Sequence, residues 1–172
     1  MRKKLILAVL LALVAPAVWL GSGGTGGHDY DLGFGKQIAG GWLATLDIGQ
    51  PVDVLMTLAA DGNVITSGQL RWAGPDGTGG WERTRYNTTA HGSWQPTRHN
   101  GIALLVILLV QDNDGNPVFY EKVAMQMTVN RAGTRMEGTG SYQLIRAGND
   151  PLDPKAPVYA EGPFTETLRL IR

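Results

Sequence analysis

Hydrophobic positions along this chain recur every second residue far more often than every third or fourth. Trp42, Ala44, Leu46 and Ile48 alternate with polar or small neighbours, the period of a strand with one buried face. Val52 to Ala59 repeats the pattern and stops at Asp61-Gly62, a two-residue hairpin signal. Val64 to Trp72 follows, then a Gly-rich loop over 73–80 and two shorter segments, Trp81 to Tyr86 and His91 to Pro96. Ile102 to Val110 is apolar without a break and closes on the turn Asp112-Asn113-Asp114-Gly115-Asn116. Val118 to Asn130 and Arg135 to Arg146 face each other across Arg131 to Thr134. After a Pro-rich excursion over 149–157, Phe164 to Ile171 ends the series. No helical period lasts longer than one turn. The pattern predicts an all-β fold of eight or nine antiparallel strands joined in sequence order. Such a meander exposes two edges unless it closes, which favours an antiparallel up-and-down barrel of about eight strands over a two-sheet sandwich.

Composition agrees: 43% of the residues are hydrophobic and 17% charged, with 24 glycines, enough apolar content for one packed domain rich in turns. The N-terminus changes the picture of charge. Arg2, Lys3 and Lys4 precede an apolar run from Leu5 to Leu20, with small residues at Ala15 and Ala17. That is the pattern of a signal peptide over 1–17, which predicts a secreted or periplasmic protein starting at Val18 with no membrane span left after cleavage. An uncleaved anchor is the competing expectation, because the run falls short of the usual span of about 20 residues. Residues 18–39 read as a Gly-rich flexible linker, and 40–172 as the barrel domain. Removing the three N-terminal cations turns a net charge of zero into −3, so nothing suggests a nucleic-acid partner. There are no cysteines, hence no disulfides. Asn87-Thr88-Thr89 is a glycosylation sequon.

Gly40-Gly41-Trp42 at the start of the first strand, with Arg169 and Arg172 near the end of the last, resembles the lipocalin and wider calycin pattern. In that family the Gly-x-Trp tryptophan closes the barrel floor near a C-terminal arginine. His91-Gly92-Ser93-Trp94, followed by a long apolar strand and an Asp-Gly turn, resembles secreted bacterial proteins with a lipocalin-like barrel. The resemblance implies a barrel whose lumen accepts a small molecule.

Two carboxylates interrupt otherwise apolar faces. In Phe119-Glu121-Val123-Met125-Met127-Val129 the exception is Glu121, and in Phe164-Glu166-Leu168-Leu170 it is Glu166. On the lumen side both would have raised pKa values. They would serve as a head-group contact or as the acid and base of an isomerase- or cyclase-like barrel, unless a bulge turns them outward. Met136, Gly138, Gly140, Tyr142 and Leu144 share one face, so two glycines leave space for a ligand or for neighbouring side chains. The expected function is therefore non-enzymatic binding of a small apolar molecule, lined by Leu104, Glu121, Val123, Met125, Met127, Gly138, Gly140, Tyr142 and Glu166. One alternative is an isomerase or cyclase using a lumen carboxylate. The other is a structural or assembly protein using the outer face of strand 101–110. That strand is apolar on both sides, which predicts a covered outer face, through the chain's own termini or a homo-oligomer.

Other chemistry is poorly supported. His28, His91 and His99 lack the local spacing of a zinc site, and no metal or cofactor is implied. The Asp112 loop has glycine at its fourth position and Val123 at its twelfth, which does not fit a calcium loop. There is no Gly-x-Ser-x-Gly elbow and no cysteine nucleophile, so no catalytic residue is assigned. Trp72 and Trp81 bracket the Gly-rich loop as sugar-stacking or core residues.

Overall fold

The computed structural model describes residues 32–47, 51–68, 71–73 and 84–171. The segment 1–17 read as a signal peptide, His28, most of the Gly-rich loop, Trp81 and Arg172 lie outside the described residues, as does the side chain of Trp72.

One short helix, α1 (Leu32–Ile38), precedes ten strands. They are β1 (Gly40–Asp47), β2 (Pro51–Leu58), β3 (Asn63–Ser67), β4 (Arg71–Ala73), β5 (Thr84–Asn87), β6 (Ala90–Thr97), β7 (Gly101–Gln111), β8 (Pro117–Val129), β9 (Arg135–Arg146) and β10 (Val158–Leu170). All the pairings are antiparallel. Eight strands form a closed ring, β1-β2-β3-β6-β7-β8-β9-β10, in which β10 returns to β1 and β7 pairs with both β6 and β8. The remaining two, β4 and β5, pair with each other and extend the β3–β6 hairpin, with β5 lying on the end of β7. Between β5 and β6 the chain stays on β7, where the Thr88 amide donates to the Leu109 carbonyl at 2.9 Å. The result is the up-and-down barrel that the alternation predicts.

Local differences from the sequence reading have identifiable causes. The β2–β3 connection is longer than a two-residue hairpin: Ala59 N–H donates to the Asn63 carbonyl at 2.9 Å, and Gly62 takes φ +91°. The β7–β8 turn repeats this with Gly115 at φ +82°, a conformation that glycine adopts without a Cβ penalty. The last strand begins at Val158, ahead of the expected start at Phe164, because Gly162-Pro163 reads as a turn. Pro163 sits opposite Ser141 on β9 and outside the stretch of β10 that pairs with β1, 165–170, so on that side its missing N–H breaks no ladder bond. The stretch read as linker, 18–39, also holds structure: α1 lies inside it and packs into one end of the barrel.

The core fills the α1 end of the lumen. Ile38, Trp42, Ala44, Met56, Leu58, Val64, Ile102, Met136 and Leu168 are almost wholly buried there. The Trp42 indole N–H donates to the Ile38 carbonyl at 3.0 Å, and the Trp94 indole N–H to the Ala59 carbonyl at 2.9 Å. Trp42 therefore closes the floor with the helix. The expected arginine stack is not made by Arg169, which pairs in register with Leu43 and stands exposed on the outer wall. On β7 the outward Ala103, Leu105, Ile107 and Leu109 are half-buried. Neighbours in register, such as Ser93 beside Leu105 and Lys122 beside Ile107, flank that row.

Candidate functional site

On β1, β2 and β3 the inward positions become more exposed from the α1 end toward the opposite end. On β1 burial is complete at Trp42 and Ala44 but partial at Leu46. On β2 it is complete at Leu58 and Met56 and partial at Val54 and Val52. Val64 gives way to Thr66 on β3, whereas on β7 the half-buried Leu108 is followed by the wholly buried Val110. Alternation fixes which residues face in, and α1 decides which end is dry. The far wall is held by a second cluster of Val110, Phe119 and Leu144, with Leu108 and Tyr142 packed against it.

Both carboxylates face the lumen. Glu121 stands between inward Phe119 and Val123, opposite Leu108 on β7 and Leu144 on β9. It accepts a hydrogen bond at 3.2 Å from the Asn87 amide. Burial pushes its pKa from 4.5 up to about 7, against the opposing effect of that hydrogen bond. Glu166 is 4% exposed, between Leu46 on β1 and Gly138 on β9. Its Oε2 has no hydrogen-bond partner, and burial pushes its pKa up to about 8.

The two do not form a pair. With β9 as a ruler, Glu121 sits opposite Leu144 and Glu166 opposite Gly138. That stretch of strand spans roughly 20 Å, well beyond the roughly 5–10 Å between paired catalytic carboxyls. What the arrangement offers is two separate carboxyl groups, each protonated through much of the neutral range and each able to donate one hydrogen bond.

The remaining expected lining residues divide clearly. Leu104, Val123, Met125 and Met127 are buried in the dry half, and Tyr142 is half-buried nearer the mouth. The glycines do not hold space open. A Cβ on Gly140 would run into the Phe164 ring, and one on Gly138 into the backbone of Gln126 and Met127. Gly162, opposite Tyr142, likewise lies under the Tyr142 ring. Of the alternatives the sequence left open, neighbouring groups fill the glycine face.

Asn87 was readable only as part of a sequon, yet it is buried and reaches Glu121. The cue available in the sequence was an amide flanking a strand end, which does not show its direction. Tyr159, in the bulge that opens β10, packs on Phe119 with ring centroids 5.0 Å apart, and the Arg146 guanidinium lies 4.5 Å from the Tyr159 ring. Among the described residues no group of three or more metal-ligating side chains converges. His91 is exposed on β6, and His99 lies in the β6–β7 turn at φ 61°. Two hollows of about 220 and 380 Å³ lie on the outer wall, the first beside Arg169 and the second beside His99.

No family model, no curated protein and no solved structure matches this chain.

Proposed function

We propose that this protein is an exported, lipocalin-like binding protein that holds a small, largely apolar molecule in the mouth half of its lumen, without catalysing a reaction. The carrying observation is the gradient of burial along the inward faces of β1, β2 and β3. A dry floor of Trp42, Met56, Met125, Met127 and Met136 rises to half-exposed walls at Leu46, Val52, Val54, Leu108 and Tyr142. Of these, Met125 and Met127 stand level with Gly140 and Gly138, nearest the walls, and their flexible thioethers repack around a guest at low cost. The helix closing the floor beside a Gly-x-Trp tryptophan supports the lipocalin-like reading.

Titration with the neutral fluorophore N-phenyl-1-naphthylamine tests this. Saturable binding with one site is expected, weakened at least roughly tenfold by Val54→Trp, a change that narrows the mouth. Non-saturable fluorescence, or the same affinity in Val54→Trp, would overturn the reading.

A further inference from the structure

Among the residues whose side chains are described, Glu121 and Glu166 are the acidic or basic groups that face inward. Lys36, Arg98, Arg131, Arg135, Arg146, Lys155 and Arg169 are exposed, and Lys122, next in sequence to Glu121, points outward. Glu166 lies at the boundary between floor and mouth. Phe164 and Leu168 flank it along β10, and the half-exposed Leu46 faces it across β1. Its Oε2 is buried with no hydrogen-bond partner, and a buried acceptor left unpaired favours a ligand that brings a donor.

We propose that Glu166 is the subsite for a basic nitrogen, so that the lumen's ligand is a small apolar amine whose ammonium N–H donates to the Glu166 carboxylate. This rests on the lumen-binding reading and narrows its ligand class. An anionic amphiphile such as a fatty acid would bring a carboxylate into an acidic lumen with no inward cation among the described side chains to receive it. An alcohol can share one hydrogen bond with the protonated carboxyl, but it brings no charge to stabilise the carboxylate. An ammonium supplies both the N–H donor and the opposite charge, while its hydrocarbon lies toward the mouth along Leu46 and Val52. The step balances simply. At about pH 6.5 the Glu166 carboxyl holds its proton, and pairing with an ammonium releases that proton to solvent, one per amine bound.

Three probes with the same chain separate the outcomes: decylamine, decanol and decanoate, each titrated calorimetrically below its micelle concentration. Decylamine should bind at least roughly tenfold more tightly than the other two, about 1.4 kcal/mol. Glu166→Gln should erase that advantage, bringing decylamine to within roughly threefold of decanol on the same variant. In the wild-type protein, titrations in buffers of different ionisation enthalpy should show about one proton released per decylamine, a readout that stands even if the variant fails to fold. If decanol binds as well as decylamine, or no proton is released, the amine assignment falls while lumen binding stands. If Glu121→Gln, and not Glu166→Gln, removes the preference, the subsite is not Glu166 and the assignment falls. If none of the three probes binds, the lumen-binding reading falls with it.

Discussion

At the scale of single residues, the inner wall between β9 and β10 is organised by glycines lying under aromatic rings. Phe164 covers Gly140 and Tyr142 covers Gly162, so each ring occupies the place where the opposite residue has no side chain. Aromatic side chains cover cross-strand glycines in this way because the glycine's open face otherwise leaves a void. The arrangement makes a methyl group harmful where a cavity would have welcomed it. Gly140→Ala should cost about 1–3 kcal/mol through overpacking against Phe164, seen as a lower urea midpoint at unchanged slope. Combined with Phe164→Leu, the alanine should cost less than it does alone, because the two changes share one space. Additive losses would mean that the ring is not what the new methyl meets.

At the scale of elements, α1 depends on the barrel as much as the barrel depends on it. A helix this short does not persist alone, and Gly33 and Gly35 weaken this one further. Tertiary contacts hold it: Ile38 is wholly buried, Phe34 packs on the core cluster, and the Ile38 carbonyl receives the Trp42 indole. Ile38→Ala should destabilise the protein by about 2–5 kcal/mol. Loss of near-UV ellipticity at lower denaturant, in step with the far-UV signal, would show that the plug and barrel melt together. Earlier near-UV loss alone would show that α1 is a separate unit. This dependence explains what the sequence could reveal. Strands such as Val118 to Asn130 and Arg135 to Arg146 were legible because alternation is local, and their observed bounds differ by a residue or none. That Glu121 and Glu166 share the apolar faces of their strands was legible for the same reason, while their inward direction stayed open because a bulge could have turned them outward. The helix was hidden because its stabilising partners lie on the barrel, outside its own short segment. So was the separation of the two acids, which depends on the register of three strands, and so was Asn87, whose direction is set by the β5–β6 junction on β7.

For the whole molecule, the two lumen acids couple stability to pH. Glu121 and Glu166 have pKa values of about 7 and about 8 in the folded protein, raised by burial from 4.5. Between those values and 4.5 the native state holds protons that the unfolded chain releases, so rising pH favours unfolding. Their contribution is most favourable below about pH 4.5. It declines as pH rises through the folded pKa values, and the full penalty is present above about pH 8. Exposed surface carboxylates do not impose this trend, because little separates their folded and unfolded states. The unfolding free energy from urea titration, and with it the midpoint, should therefore be higher at about pH 5.5 than at about pH 8.5, the free energy by an amount on the order of a few kcal/mol if both acids contribute. Replacing Glu166 with leucine removes the carboxyl without leaving a large void, so Glu166→Leu should flatten the dependence and raise stability most at the alkaline end. Glu121→Gln should remove a smaller part, because Asn87 already compensates the charged form. A midpoint that rises with pH over this range in the wild-type protein would mean that the lumen acids ionise freely, with solvent reaching the floor beside Leu46. If the midpoint falls and Glu166→Leu leaves the slope untouched, other groups carry the linkage.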